Sequence, residues 1–260
     1  MGHVCAFESN GTEIADAKLH NGECDSLSRS LEVVNPSYPL SPSYQVKAPG
    51  QSPRPGRLSI QVARSEDLAT LADILAESFH SRTGIFGWMY PLFRLGIYED
   101  LQNRLQTQTR SNFSGTTHYV CLVANYYPRT MMTVGSSPRV PAITAGTVEI
   151  TVRTIPEKSV DPWQANSCRY PYLSNLAVHP QYRRQGVARA LLKDCERVAQ
   201  KWGFSEIYLH VLANNHIARE FYSNVGYRLH KAESNWQSWL LGQPRRLFLK
   251  KDLVGVPVAD

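Results

Sequence analysis

Arg183, Arg184 and Arg189 cluster around one glycine, Gly186, and this basic turn has the composition of a pyrophosphate site. The stretch 173–190 reads L-S-N-L-A-V-H-P-Q-Y-R-R-Q-G-V-A-R-A, running from an apolar strand through the turn into an amphipathic helix. The first N–H groups of a helix have no intrahelical partner, and the helix dipole adds partial positive charge there. Gly186 has no Cβ, so the backbone can come close to a ligand, and Ala188 adds little bulk. Guanidinium groups suit the oxygens of a nucleotide-like cofactor's phosphates. A lone glycine in a basic turn can also do no more than cap a helix.

A second element follows. Residues 206–211 (E-I-Y-L-H-V) have the pattern of a strand, and 214–222 (N-N-H-I-A-R-E-F-Y) that of an Asn-capped helix. Gly226 and Tyr227 then stop that helix and open another strand. Taken alone, Asn215 is a cap, and Tyr222 is a phenol packed near the helix end.

The elements that must position these residues are legible from periodicity. Leu58–Ala63 alternates as a strand, and Ser65 is the expected N-cap of the next helix, with Glu66 and Asp67 in its first turn. Leu68, Leu71, Ile74, Leu75 and Phe79 form that helix's buried stripe. A second helix is expected over 91–109, and strands over 118–124, 144–153 and 172–178. The helix over 186–202 should bury Val187, Leu191, Cys195, Val198 and Trp202. Strands over 227–233 and 246–251 follow, and no internal repeat is present.

Composition places these elements in one enzyme-sized domain. The chain has 260 residues, 42% of them hydrophobic, which is enough for a substantial core. Residues 1–57 are rich in Ser, Pro, Gly and Asn and are expected to be a disordered tail; 58–253 form the domain and 254–260 a short C-terminal tail. No long apolar run predicts a membrane span, and the N-terminus lacks a secretory apolar stretch. Five cysteines without a C-x-x-C pair argue against a disulfide framework or zinc site and for a reducing compartment. The tail carries six acidic residues, which is unlike a transit peptide, so a bacterial cytoplasm is expected ahead of the plastid stroma. Ala6 stands where myristoylation prefers Ser or Thr, so no lipid anchor is expected. The net charge of +6 gathers largely at 183–189 and 245–251, and no nucleic-acid motif accompanies it. His179, His210, His216 and His230 show no metal-ligand spacing.

The two elements together resemble the acetyl-CoA-binding core of the GNAT acyltransferase superfamily. Residues 183–188, R-R-Q-G-V-A, match that family's pyrophosphate loop, and Asn215, Ala218, Phe221, Tyr222 and Gly226 match its second pattern. The segments 171–178 (P-Y-L-S-N-L-A-V) and 87–101 (G-W-M-Y-P-L-F-R-L-G-I-Y-E-D-L) are most similar to the plastid and cyanobacterial protein N-acetyltransferase branch. The resemblance implies an α/β (α+β mixed sheet) GNAT fold over 58–253, with a central, mostly antiparallel twisted sheet flanked by helices.

The reaction implied is direct attack of an amine on acetyl-CoA, with no acyl-enzyme intermediate and no metal. By this resemblance the cofactor would be held by Leu176, Ala177 and Val178, by Arg183, Arg184, Gln185, Gly186, Val187, Ala188 and Arg189, and by Asn215, His216, Ile217 and Tyr222. Strand 176–178 would splay from its neighbour, so that its backbone pairs with the pantetheine arm. Tyr222 matches the family's general acid, and a phenol with an ordinary pKa of about 10 keeps its proton at neutral pH. Glu149 is the candidate base, acting through water, or else a charge on an exposed strand face; His179 is its rival, or a turn residue before Pro180.

Protein or peptide amines are the expected acceptors. A protein N-terminus with a pKa of about 7.7–8.0 is roughly one-tenth neutral at pH 7, whereas lysine is below about one in a thousand. Lysine therefore needs desolvation or a base. The aromatic stretch 86–98 and the segment 236–241 would wall the acceptor site or else simply cover the core, and 126–141 has the composition of a long loop. Small arylalkylamines as acceptors, or a catalytically silent CoA-binding sensor, remain alternatives. Oligomeric state is left open.

Overall fold

The computed structural model describes residues 44–47, 55–79, 87–114, 118–127, 142–156, 167–233 and 245–253. Residues 1–43, 254–260, the segment 236–241 and most of 126–141 lie outside the described residues.

Among the described residues eight strands form one sheet: β1 (Tyr44–Lys47), β2 (Pro55–Val62), β3 (Tyr119–Tyr127), β4 (Ile143–Pro156), β5 (Ser167–Val178), β6 (Glu206–Leu212), β7 (Arg228–Glu233) and β8 (Arg246–Asp252). Their spatial order is β1-β2-β3-β4-β5-β6-β8-β7. Every neighbouring pair is antiparallel except β5 and β6, which run parallel. Among the described residues four α-helices cover the sheet: α1 (Leu68–Phe79), α2 (Tyr90–Ser114), α3 (Val187–Lys201) and α4 (His216–Asn224). This is the mixed, mostly antiparallel architecture expected from the sequence.

Alternation along the strands sends side chains to two faces, and each face has its own core. On one face α3 and α4 pack with Ile150, Leu173, Leu176, Ile207 and Leu209, and Tyr222 belongs to that cluster. All five residues expected on the buried side of α3 are buried. On the other face α1 packs with Leu101 of α2 and with Cys121, Val123 and Ala177 of the sheet. An aromatic cluster of Tyr170, Tyr172, Tyr208 and Phe248 sits beside it.

Three expectations need correction. The domain does not start at Leu58: β2 begins at Pro55, and β1 pairs with it from inside the expected tail. Backbone pairing, to which side-chain pattern is blind, makes that extension. Ser65 is not a helix N-cap. A short 3-10 helix over Ser65–Asp67 precedes α1, and the Asp67 carboxylate accepts the Arg64 N–H at 2.8 Å. The carboxylate reaches back to the N–H before the turn, a different donor from the one an N-cap hydroxyl at Ser65 would have served. Third, Glu149 is not a charge on an exposed strand face, because it is 0% exposed.

Candidate active site

The parallel pair β5–β6 holds together at only two positions, Tyr172↔Tyr208 and Leu173↔Leu209. Beyond them the ladder ends, while β5 stays paired with β4 as far as Val178. The edge of β5 that faces β6 is therefore unpaired over Leu176–Val178, and a V-shaped gap opens between the two strands. An exposed peptide edge of this kind can hydrogen-bond an extended amide chain.

Two local features shape the gap. A bulge interrupts the β4–β5 ladder between Thr147 and Glu149: Glu149 faces Ser174 and Thr147 faces Ala177, so Asn175 and Leu176 stand opposite Val148 alone. Asn175 adopts φ 54°, a left-handed conformation that Asn tolerates better than most residues. At the end of the gap Gly146 allows close approach. A Cβ on Gly146 would lie 2.7 Å from the Ala177 carbonyl oxygen.

The basic turn follows directly. Val178 leads through His179 into a 3-10 helix over Pro180–Tyr182, and two left-handed residues, Arg184 (φ 62°) and Gly186 (φ 84°), turn the chain into α3. Gly186 is the residue before the helix, and a Cβ on it would have no heavy atom within 4 Å. The space in front of the α3 N-terminus is thus open, while its first amides lack helical partners. The Arg183 Nε donates to the Val178 carbonyl at 3.1 Å, which ties the turn to the end of β5. Arg184 and Arg189 are exposed, Gln185 and Ala188 half-buried, and Gln185 Nε2 donates to the Gln181 carbonyl at 2.9 Å. The Val187 side chain is core, so only its backbone can serve a ligand. The turn therefore fits a phosphate-bearing cofactor by open space, donor groups and charge.

The remaining expected residues separate into groups. Asn215 caps α4, its Oδ1 accepting the Ala218 N–H at 3.1 Å, and His216 and Ile217 beside it are exposed. Tyr222 is 1% exposed, with its ring between those of Phe221 and Tyr227 at 5.4 and 5.7 Å. His179 is a turn residue, its Nδ1 accepting the Gln181 N–H at 3.4 Å. Glu149 has both carboxylate oxygens engaged: Asn175 Nδ2 donates to Oε1 at 3.0 Å and Arg104 Nη1 to Oε2 at 2.9 Å. Burial pushes its carboxyl above the ordinary range, and Arg104 and the Asn175 hydrogen bond oppose that rise.

A different pair stands at the apex of the gap. The Tyr172 hydroxyl and His210 Nδ1 lie 2.9 Å apart. Tyr172 is fully buried beneath the Arg153 guanidinium, which lies 3.6 Å from its ring centroid, whereas His210 is half-buried and stacks on Phe248 at 4.6 Å. His210 and Ser174 are the first residues past the last β5–β6 pairing, and the Ser174 hydroxyl is buried without a hydrogen-bond partner. The sequence carried one signal for this pair: Tyr170 and Tyr172 alternate on one strand, Tyr208 and His210 on another. Only the parallel register brings the two sets onto one face.

Trp88, in a 3-10 turn over Gly87–Met89 just before α2, and Leu92 and Leu95 at the start of α2 are 73%, 59% and 52% exposed. They do not cover the core, although Ile97 and Tyr98 from the same aromatic stretch pack against it. Among the described residues no group of three or more His, Cys, Asp or Glu could hold a metal ion, and no helix is long and apolar enough to cross a membrane.

Comparison with known proteins agrees with this geometry. The Acetyltransferase (GNAT) family model matches residues 151–227, from within β4 to the residue before β7. The chloroplastic GCN5-related N-acetyltransferase 10 of Arabidopsis thaliana is 29% identical over 187 residues, covering 72% of this chain and 68% of that protein. The ribosomal protein bS18-alanine N-acetyltransferase of Escherichia coli K12 is 40% identical over 55 residues, covering 21% of this chain and 37% of that enzyme. In fold, the PaiA N-acetyltransferase of Thermoplasma acidophilum, solved with coenzyme A, superposes with a TM-score of 0.50 at 18% identity, covering 75% of this chain and 98% of that one.

Proposed function

Because the chain belongs to the GNAT superfamily of acetyl-CoA-dependent acyltransferases and is similar to its chloroplastic members, we propose that it acetylates protein N-terminal α-amines in the plastid stroma. The observation that carries this reading is the β5–β6 gap, which joins an open helix N-terminus at one end to a half-buried imidazole at its apex.

The thioester of acetyl-CoA supplies an activated acyl carbon. The open α3 N-terminus, with Arg183, Arg184 and Arg189, holds the pyrophosphate, and the unpaired edge Leu176–Val178 takes the amide-bearing arm. Asn215, His216 and Ile217 flank the arm from α4. His210 takes the proton of the acceptor ammonium, and Tyr172 holds the imidazole in place; imidazole is the side chain that exchanges protons near neutral pH. The amine nitrogen then bonds to the acyl carbon, the carbon–sulfur bond breaks, Tyr222 protonates the departing thiolate, and the proton that the new amide nitrogen sheds restores the Tyr222 phenol. Glu149 takes no part in proton transfer on this reading, since both its oxygens are already engaged.

The exposed apolar side chains Trp88, Leu92 and Leu95 support a polypeptide acceptor, because an apolar patch of this kind suits a partner chain better than a small amine. Lysine is the second reading, favoured by the presence of a base that α-amines need less. The chloroplastic relative supports the stroma, and nothing in the comparisons supports the bacterial cytoplasm expected from the tail.

The test is one competition reaction read by mass spectrometry. Free N-terminal peptides, N-terminally blocked lysine peptides and arylalkylamines share acetyl-CoA. Acetyl chiefly on α-amines is expected. Acetyl only on small amines would replace this reading with a metabolite enzyme, and tight acetyl-CoA binding without transfer would replace it with a sensor.

A further inference from the structure

Four residues on three elements form a polar chain, half-buried at Asp100 and Arg104 and buried at Glu149 and Asn175, that the proton transfers leave unused. Asp100 Oδ2 on α2 accepts from Arg104 Nη2 at 2.8 Å, and Arg104 Nη1 donates to Glu149 Oε2 at 2.9 Å on β4. Glu149 Oε1 then accepts from Asn175 Nδ2 at 3.0 Å on β5. Tyr119 and Cys121 of β3 stand on the same face, paired in register with Thr151 and Glu149. An ion pair that buries its carboxylate costs desolvation and adds little net stability, and in some proteins such a pair serves to fix one geometry. The geometry at the end of this chain is the bulge of β5. Asn175 is its left-handed residue, and the two residues after it begin the unpaired edge. On the other side of the bulge the Thr147 hydroxyl donates to the Leu122 carbonyl at 3.0 Å, so β3 and β4 give a fixed frame.

We infer that Glu149 is a positioning residue: through Asn175 it locks the bulge that presents the Leu176–Val178 edge to acetyl-CoA, and Arg104 anchors that lock to α2. The inference rests on the proposed function, since it assigns a role to the same gap. It makes acetyl-CoA affinity, rather than proton transfer, the quantity that Glu149 controls.

The experiment measures acetyl-CoA binding by calorimetry, with no acceptor present, alongside steady-state kinetics over pH, on the full chain. Asn175→Ala, which removes the tether and leaves at φ 54° a residue that tolerates it less well than Asn, is expected to weaken acetyl-CoA by about tenfold. Asn175→Gly, which takes that φ freely, should stay within about threefold. Glu149→Gln should weaken acetyl-CoA by about fivefold, with kcat at saturation little changed and the acid limb of the pH profile retained. In the Asn175→Gly background Glu149→Gln should add nothing, because the tether is already gone. Thermal melts check that each variant is folded.

A Glu149→Gln variant with unchanged acetyl-CoA affinity, a large fall in saturating kcat and no acid limb would make Glu149 the base and overturn the inference. So would equal effects of Glu149→Gln in both backgrounds. Wild-type protein that does not bind acetyl-CoA would overturn the proposed function itself, and this inference with it.

Discussion

The Tyr172 hydroxyl and His210 Nδ1 meet at 2.9 Å where the β5–β6 ladder ends. The buried phenol fixes the half-buried imidazole at the apex of the gap. Replacing His210 with Gln should lower kcat by about 10²–10⁴-fold, the usual range for a positioned acid or base, and remove the acid limb of the pH–rate profile. Tyr172→Phe should lower kcat less and leave that limb in place. Initial rates over pH 5.5–9 decide, and an intact acid limb in His210→Gln would reject the assignment.

Tyr222 separates an enzyme from a sensor. Tyr222→Phe keeps the ring between Phe221 and Tyr227, so the fold and acetyl-CoA binding should survive. Turnover is expected to fall by about 10²-fold if the phenol protonates the thiolate. A variant with wild-type turnover would leave Tyr222 as core packing only.

Two glycines should fail for different reasons. Gly186→Ala meets no neighbouring atom but forces a Cβ into φ 84°, at a cost of about 1–2 kcal/mol, and fills space before the pyrophosphate donors. Its acetyl-CoA affinity should drop more than its melting temperature. Gly146→Ala drives a methyl against the Ala177 carbonyl, so it should destabilise by about 1–3 kcal/mol and loosen the β4–β5 approach. Calorimetry and melts on both variants show whether space or conformation dominates at each site.

The buried Glu149 carboxyl has a signature in stability. Burial raises it above its ordinary 4.5, with Arg104 and the Asn175 hydrogen bond pulling the other way. A carboxyl whose folded pKa is raised binds more protons folded than unfolded. It therefore lowers stability as pH climbs from the unfolded value through the folded one. Glu149→Gln removes that slope, so the stability difference between variant and wild type should move in the variant's favour as pH rises from about 4.5. Melts at several pH values would show it, and a pH-independent difference would reject the raised carboxyl.

The buried thiols give a check on the fold. Burial pushes Cys121 and Cys195 well above the ordinary thiol range, and both lie in the core. Peptide mapping after alkylation of native protein at pH 8 should find both unlabelled, with full labelling after denaturation. Rapid native labelling of either would contradict this packing.

The sequence by itself determined the elements whose physics is local. The basic turn with Gly186, the buried face of α3 at Val187, Leu191, Cys195, Val198 and Trp202, and the Asn215 cap all follow from backbone conformation, helix period and charge over a few residues. They were legible for that reason, and the family resemblance rests on them. The tertiary structure decided what depends on register between distant segments. Tyr172 and His210 are 38 positions apart, and Arg104 and Glu149 are 45 apart. No local pattern states that a parallel ladder stops after Leu173, or that a bulge turns Asn175 back to Glu149. The sequence offered Glu149 as a base because a carboxylate on a strand is chemically able to be one. Packing added what the sequence does not state, that this carboxylate is buried and accepts from Arg104 and Asn175, and on those contacts the positioning role proposed above rests.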